Sequence, residues 1–177
     1  MHTVQVLDKT FGLSISADAI RERVEAVAAK VSADMAGKNP LFVAVLNGSF
    51  IFAADLLRAV TIPCEINFLR YASYEGMQST GEVRQLLGLT QDITGRHVVI
   101  VEDIIDSGLT MQHLVAELEQ HHPESISICT LLVKPGNMKV TLDIPYCCFR
   151  IPNDFIVGYG LDYDGYGRNS PAIYTVQ

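Results

Sequence analysis

The sequence predicts an α/β fold in which a mainly parallel sheet is flanked by helices. Short continuous apolar runs, such as the one at 41–46, are bounded by turn residues and are typical of strands buried on both faces. Helical patterns lie between these runs, and strands that alternate with helices favour a parallel sheet with right-handed crossovers. The length of 177 residues, 49% of them hydrophobic and 19% charged, suits a single domain over 1–177.

The first predicted helix begins after Ser16, which can cap it, and stops at Gly37. Its apolar positions recur every three or four residues, at Ile20, Val24, Val27, Val31 and Met35. A strand at 41–46, a tight glycine turn and a second helix over about 49–60 follow. Together they form the first half of a βαβ unit.

The alternation continues through the middle of the chain. We predict strands at 64–71, near 83–89, at 97–101 and at 126–133, a turn at 92–95 and a helix at 110–121. The polar stretch at about 72–83 has no apolar period, and a loop of this length suggests a mobile lid. From residue 140 the strands become short and are broken by Pro and Gly. We therefore expect a core at about 16–135 and a small cap from about 1–15 and 140–177.

Composition argues against several classes of protein. The formal charge is −7 and no run of Lys and Arg occurs, which argues against a nucleic-acid partner. No apolar stretch approaches the roughly 18 residues of a membrane span, and the N-terminus does not resemble a signal peptide, so we expect no membrane association and a cytoplasmic location. The four cysteines and five histidines lack metal-site spacings, so we expect free buried thiols and no histidine metal site.

The segment at 98–110, VVIVEDIIDSGLT, carries the densest chemistry in the chain. Glu102 and Asp103 follow four apolar residues, where the predicted strand ends. Ligands of open parallel sheets bind at the carboxyl ends of strands, and we expect this end, the turn at 47–48 and Lys134 to share one edge. The two carboxylates can accept hydrogen bonds from a vicinal diol such as ribose O2 and O3, and can hold Mg²⁺.

A phosphate cradle is predicted directly after the two carboxylates. Ser107 and Thr110 supply hydroxyls, Gly108 permits close backbone approach, and the helix start around Leu109 exposes N–H groups. Diol acceptors a few residues before such a cradle describe a ribose 5-phosphate. The alternative is that Asp106 or Ser107 only caps the helix and that the two acids are solvated.

The whole of 98–110 resembles the phosphoribosylpyrophosphate signature of the type I phosphoribosyltransferases. Four more blocks, in order over nearly the whole chain, resemble the hypoxanthine-guanine members of that family. They are LNGSF at 46–50, SY at 73–74, LLVKPG at 131–136 and IPNDFIVGYGLDYDGYGR at 151–168. The resemblance implies that these blocks form a pyrophosphate loop, a mobile lid, a base-contacting strand end and a purine pocket.

For pyrophosphate, the resemblance implies contacts from Asn47, Gly48 and Arg168. The family builds this loop on a non-proline cis peptide, here the one that precedes Asn47. Many members carry Lys or Arg where this chain has Asn47, so backbone N–H groups are expected to do the binding here. Ser73 and Tyr74 would belong to the lid, which keeps water from the activated sugar.

For the purine, the residue chemistry agrees with the resemblance. The ammonium of Lys134 can donate to O6 of a 6-oxopurine but not to the amino group of adenine, unless it is an ordinary surface lysine. Phe155 would stack on the base, although most such residues are core aromatics, and Ile156 would offer its backbone to the base edge. Asp162 would contact the base and Mg²⁺; the alternative is an exposed salt bridge with Arg168.

These implications describe a purine salvage enzyme that converts hypoxanthine, and also guanine, with 5-phosphoribosyl-1-pyrophosphate into the mononucleotide and pyrophosphate. Asp106 would be the general base for the N7 proton, and Glu102, Asp103 and Asp162 would hold Mg²⁺. The resemblance also implies a homodimer or homotetramer. Two alternatives stay open: an enzyme that prefers xanthine or another base, and a regulator that senses the same ligands, which should carry a basic face or a DNA-binding segment.

Overall fold

The computed structural model describes residues 3–72 and 84–177, which form ten strands, three α-helices and one 3₁₀ turn. The strands are β1 Thr3–Val6, β2 Lys9–Ile15, β3 Leu41–Leu46, β4 Glu65–Ala72, β5 Arg84–Leu87, β6 His97–Ile105, β7 Ser125–Val133, β8 Tyr146–Arg150, β9 Ile156–Val157 and β10 Ile173–Val176. The helices are α1 Ala17–Asp34, α2 Phe50–Ala59 and α3 Leu109–Glu119, and the 3₁₀ turn is Pro135–Asn137.

The main sheet has the strand order β5-β4-β3-β6-β7-β8. Strands β4, β3, β6, β7 and β8 run parallel, and β5 joins the edge antiparallel to β4. The predicted mainly parallel sheet is therefore confirmed. Its carboxyl edge brings together the ends of β3, β6 and β7, which are neighbours in the sheet.

Helices cover both faces of the main sheet, which explains why its strands are apolar without alternation. On one face α1 and α2 pack around Phe42 and Val99. On the other face α3 contributes Met111, Leu114 and Leu118 to a second cluster. The start of α1 is as predicted, because the Ser16 hydroxyl oxygen accepts a hydrogen bond from the Ala19 N–H at 3.2 Å.

A second sheet, which we call the hood, has the order β1-β2-β10-β9 and is antiparallel throughout. Its strands come from both ends of the chain, where the sequence predicts a small cap. After β9 the chain forms a loop at 158–168, here called the hood loop, which returns to the edge of the main sheet. The hood loop therefore packs against the turn after β3, since a Cβ on Gly160 would lie 2.2 Å from the Gly48 carbonyl oxygen.

Several predicted boundaries were wrong. The strand predicted at 97–101 continues to Ile105, because the residues after Val101 keep their pairing with β7, for example Ile104 opposite Leu132. The first helix ends at Asp34, and Gly37 adopts its positive φ of +75° only in the following turn.

Elsewhere the boundaries shift by a few residues. The strand predicted near 83–89 is the shorter β5, and the helix predicted at 110–121 is α3. The predicted lid residues Ser73 and Tyr74 lie outside the described residues. Within the described ranges, no helix is both long and apolar enough to cross a membrane.

Candidate active site at the carboxyl edge of the main sheet

The loop after β3 leaves no room for a side chain at its glycine. The peptide between Leu46 and Asn47 is cis, as predicted, and the Asn47 side chain is exposed. A Cβ on Gly48 would lie 1.8 Å from Oδ2 of Asp103, so only glycine permits this approach. From the opposite side, a Cβ on Gly160 would lie 2.2 Å from the Gly48 carbonyl oxygen. The 47–48 loop is therefore held between β6 and the hood loop.

Ser49 precedes α2 at the predicted position but does not cap the helix with its side chain. Its buried hydroxyl donates instead to the Val45 carbonyl oxygen at 2.6 Å. The first N–H groups of α2 thus do not donate to the Ser49 hydroxyl. Such groups, beside the 47–48 loop, are suited to an anion.

Glu102 and Asp103 lie near the end of β6, and each accepts a hydrogen bond from the backbone N–H of the following residue. Asp103 N donates to Glu102 Oε1 at 3.0 Å, and Ile104 N donates to Asp103 Oδ1 at 2.9 Å. Burial, and next the neighbouring Asp103 carboxylate, raise the pKa of Glu102 well above its ordinary value. Glu102 is half-buried and lines the pocket at the start of α3, so it is not a fully solvated acid. A bound cation or diol would compensate its buried charge.

The predicted phosphate cradle forms a pocket of about 120 Å³ at the start of α3. Gly108 is the N-cap with φ +80°, and the Ser107 hydroxyl oxygen accepts a hydrogen bond from Leu109 N at 3.3 Å. Thr110 lines the same pocket. Asp106 does not cap the helix, because its carboxylate faces the strand end of β7. The helix-cap alternative is therefore wrong for Asp106.

Lys134 follows β7 and points at that carboxylate. It is only 8% exposed, and its Nζ lies 3.4 Å from Asp106 Oδ2. The other oxygen, Oδ1, accepts a hydrogen bond from Asn137 Nδ2 at 2.7 Å. Lysine is rarely buried without a partner, so the interpretation as an ordinary surface lysine is wrong. The sequence patterns did not point to Asn137, because its contact with Asp106 joins two segments that are 31 residues apart in the chain.

Phe155 lies on the hood and is 45% exposed, so it is not a core aromatic. Its ring centroid is 6.1 Å from that of Phe11 and 5.7 Å from that of Tyr163, which meets it edge-on. Tyr163 is held in turn by donating to Asp8 Oδ1 at 2.7 Å. Ile156 follows as a buried residue of β9. The supporting roles of Phe11 and Tyr163 were not predicted.

Asp162 and Arg168 form an ion pair across the hood loop, with Oδ1 and Nη2 at 2.8 Å. The pair is partly buried rather than exposed, and Arg168 Nη1 also donates to the Gly160 carbonyl oxygen at 2.6 Å. In the described part of the chain no three His, Cys, Asp or Glu side chains cluster closely enough to hold a metal. The structure therefore does not bring Glu102, Asp103 and Asp162 together as one protein-only metal site.

Known proteins are similar to this chain in both sequence and fold. The phosphoribosyl transferase domain family matches residues 16–164. The hypoxanthine-guanine phosphoribosyltransferase of Streptococcus pneumoniae strain R6 is 42% identical over 160 residues, which cover 90% of this chain and 89% of that protein.

Solved structures agree. A hypoxanthine-guanine phosphoribosyltransferase from Bacillus anthracis matches with a TM-score of 0.88 at 42% identity, covering 93% of this chain and 98% of that one. A Trypanosoma cruzi hypoxanthine phosphoribosyl transferase matches with a TM-score of 0.89 at 34% identity, covering 98% of this chain and 95% of that one. The chain therefore belongs to the phosphoribosyl transferase family and, within it, to the hypoxanthine-guanine phosphoribosyltransferases.

Proposed function

We propose that this chain joins hypoxanthine or guanine to 5-phosphoribosyl-1-pyrophosphate, releasing pyrophosphate and forming IMP or GMP. The observation that carries the proposal is the meeting of Lys134 and Asp106 at 3.4 Å, beside the pocket at the start of α3. The ammonium is a donor suited to the purine O6, and the carboxylate is an acceptor suited to a ring proton. Both lie next to the place where a ribose 5-phosphate would bind.

The sugar would bind along the turn from β6 into α3. Its 5-phosphate would occupy the pocket lined by Ser107, Gly108 and Thr110, beside the backbone N–H groups of the helix start at Leu109. The ribose hydroxyls would donate to Glu102 and Asp103. These hydrogen bonds would compensate the loss of hydration of the Glu102 carboxylate.

Pyrophosphate would lie against the 47–48 loop and the start of α2. The exposed Asn47 side chain carries no charge, so backbone N–H groups and the guanidinium of Arg168 would be the main contacts. Arg168 already donates to the carbonyl oxygen of Gly160, the residue that packs against the Gly48 carbonyl oxygen.

Mg²⁺ would be held by Glu102 and Asp103, directly or through water, and by Asp162 on the hood side, together with substrate oxygens. The donor chemistry fits, because all three side chains offer hard carboxylate oxygens. When bound, the ion would neutralise charge that develops on the leaving pyrophosphate.

The purine would lie on the open part of the Phe155 ring, with the Ile156 backbone and Asp162 at its edge. In the reaction, N9 of the purine forms a bond to C1 of the ribose. The C1–O bond breaks, and its electron pair leaves with pyrophosphate. The N7 proton passes to the Asp106 carboxylate, while Lys134 donates to O6 and holds the base in register.

The decisive test is an assay of the purified protein with 5-phosphoribosyl-1-pyrophosphate, Mg²⁺ and, in turn, hypoxanthine, guanine, xanthine and adenine. We expect IMP and GMP to form and AMP to be absent, because the 6-amino group of adenine offers no acceptor to Lys134. Turnover of xanthine alone would favour the alternative base. Binding of 5-phosphoribosyl-1-pyrophosphate without any nucleotide product would favour the regulator.

We also propose an assembly and a cellular location for the protein. We expect a homodimer or homotetramer in the cytoplasm, and light scattering of the purified protein measures its assembly. In the T. cruzi relative, the C-terminal region has been studied for its role in the oligomeric state of that protein. Closure of a lid with Ser73 and Tyr74 would exclude water from the activated sugar during the reaction.

A further inference from the structure

Asn137 contacts the proposed general base, and the reaction as described gives it no role. Its Nδ2 donates to Asp106 Oδ1 at 2.7 Å, while Lys134 Nζ lies at the longer distance of 3.4 Å from Oδ2. A carboxylate only accepts hydrogen bonds, so the amide must present its NH₂ group to Asp106. Each carboxylate oxygen therefore has one donor, and the amide makes the closer contact.

The segment that carries Asn137 contacts the predicted phosphate cradle. Lys139 N donates to the Ser107 carbonyl oxygen at 2.9 Å. The same segment packs so closely on Gly108 that a Cβ there would lie 2.8 Å from Val140 Cγ2. Backbone bonding and packing thus set where the amide lies, and it can act as a fixed support for a carboxylate whose own side chain is 51% exposed.

We infer that Asn137 is a positioning residue, which holds Oδ1 of Asp106 so that Oδ2 faces the purine. The inference rests on the proposed function. Lys134 cannot serve Asp106 and the base fully at the same time: once its ammonium donates to O6, its already long contact with Oδ2 weakens. Asn137 then keeps the carboxylate in place, and Oδ2, released by Lys134, accepts the N7 proton.

The first test uses an isosteric change. Asn137→Asp preserves size and shape but places a second acceptor against Asp106, so kcat for IMP formation should fall about tenfold or more through loss of a charge-assisted hydrogen bond and repulsion. Asn137→Ala should lower kcat about fivefold. The KM for 5-phosphoribosyl-1-pyrophosphate should stay unchanged in both variants, because the predicted phosphate cradle keeps its backbone hydrogen bond from Lys139 N. Thr141→Ala, which removes an exposed side chain of the same segment, is the matched control and should retain the wild-type kcat.

The second test is a double-mutant cycle with Asp106→Ala. If Asn137 acts through Asp106, then Asn137→Ala should change kcat less than about twofold in the Asp106→Ala background. An effect as large as in the wild type would overturn the inference and leave Asn137 a purely structural residue; thermal unfolding checks that each variant is folded. Wild-type kcat in both Asn137 variants would also overturn it, although IMP formation by the wild type would leave the proposed function standing. A wild type that forms no nucleotide would overturn both.

Discussion

The carboxyl edge of the main sheet and the hood both contribute to the site, but they are built in different ways. At the edge, Asp103 lies near the end of β6, Asp106 directly follows that strand, and Lys134 follows its parallel neighbour β7, and both strands have a buried core. On the hood side, Phe155 directly precedes the two-residue strand β9 and Asp162 lies in the hood loop, and both side chains are partly exposed.

The difference separates two tasks. The edge holds charged groups in fixed positions at some cost in stability, as the raised pKa of Glu102 indicates. The hood offers an exposed ring and a loop carboxylate, which are suited to the face and the edge of a planar base. We therefore expect changes at the edge to lower the rate or the binding of the sugar, and changes on the hood to weaken binding of the base.

The largest effect is expected at Asp106. Asp106→Asn keeps the shape of the side chain but removes the acceptor for the N7 proton, so kcat for IMP formation should fall about 10² to 10⁴-fold. The KM for 5-phosphoribosyl-1-pyrophosphate should change little. Steady-state kinetics measure both, and an unchanged kcat would remove Asp106 from the mechanism.

Gly48→Ala should damage the sugar half of the site without touching the hood ring. Because the new Cβ would lie 1.8 Å from Asp103 Oδ2, either the Asp103 carboxylate or the 47–48 loop must shift, and a displacement of either group can cost about 10²-fold in kcat/KM for 5-phosphoribosyl-1-pyrophosphate. Gly95→Ala is the control, since no atom lies within 4 Å of its new Cβ, and its φ of +70° adds a backbone strain that Gly48→Ala lacks. Equal losses in the two variants would point to general destabilisation.

Phe155→Leu tests the hood. Loss of the ring should raise the KM for hypoxanthine about tenfold, while the KM for 5-phosphoribosyl-1-pyrophosphate stays the same. Tyr166→Leu serves as the control because Tyr166 is an exposed aromatic of the hood loop, at 62%, without a proposed contact to the base. A loss confined to the sugar substrate would contradict the division between edge and hood.

The smallest effect is a gain in stability at the edge. Because the folded protein raises the pKa of Glu102, its ionised form opposes folding once the pH exceeds the unfolded value of about 4.3. Glu102→Gln keeps the Oε1 acceptor and should raise the unfolding temperature by a few degrees at pH 7, with the gain shrinking as the pH falls towards that value. Thermal scans over this pH range measure the change, and a lower unfolding temperature at pH 7 would show that the charge is compensated within the protein.

Much of the edge could be predicted because its residues are close together in the chain. Strand, carboxylates, glycine turn and helix start all lie within 98–110, and each has a local physical signature. The ends of the predicted elements were less accurate. The prediction ended β6 at Val101, although pairing with β7 continues the strand to Ile105. Charged residues at the end of a strand look like a loop in the sequence, whereas hydrogen bonding to a neighbour keeps them extended.

The sequence by itself determined the parallel α/β core and the two carboxylates that precede the start of α3, and through the resemblance it predicts which residues would line a purine pocket. Only the tertiary structure decided that Asp106 stands between Lys134 and Asn137, and that Phe155 is supported by Phe11 and Tyr163. The physical reason is distance along the chain. A local pattern reports hydrogen bonding and burial within one element, while these contacts exist only after β7 is placed beside β6 and both chain ends have paired in the hood.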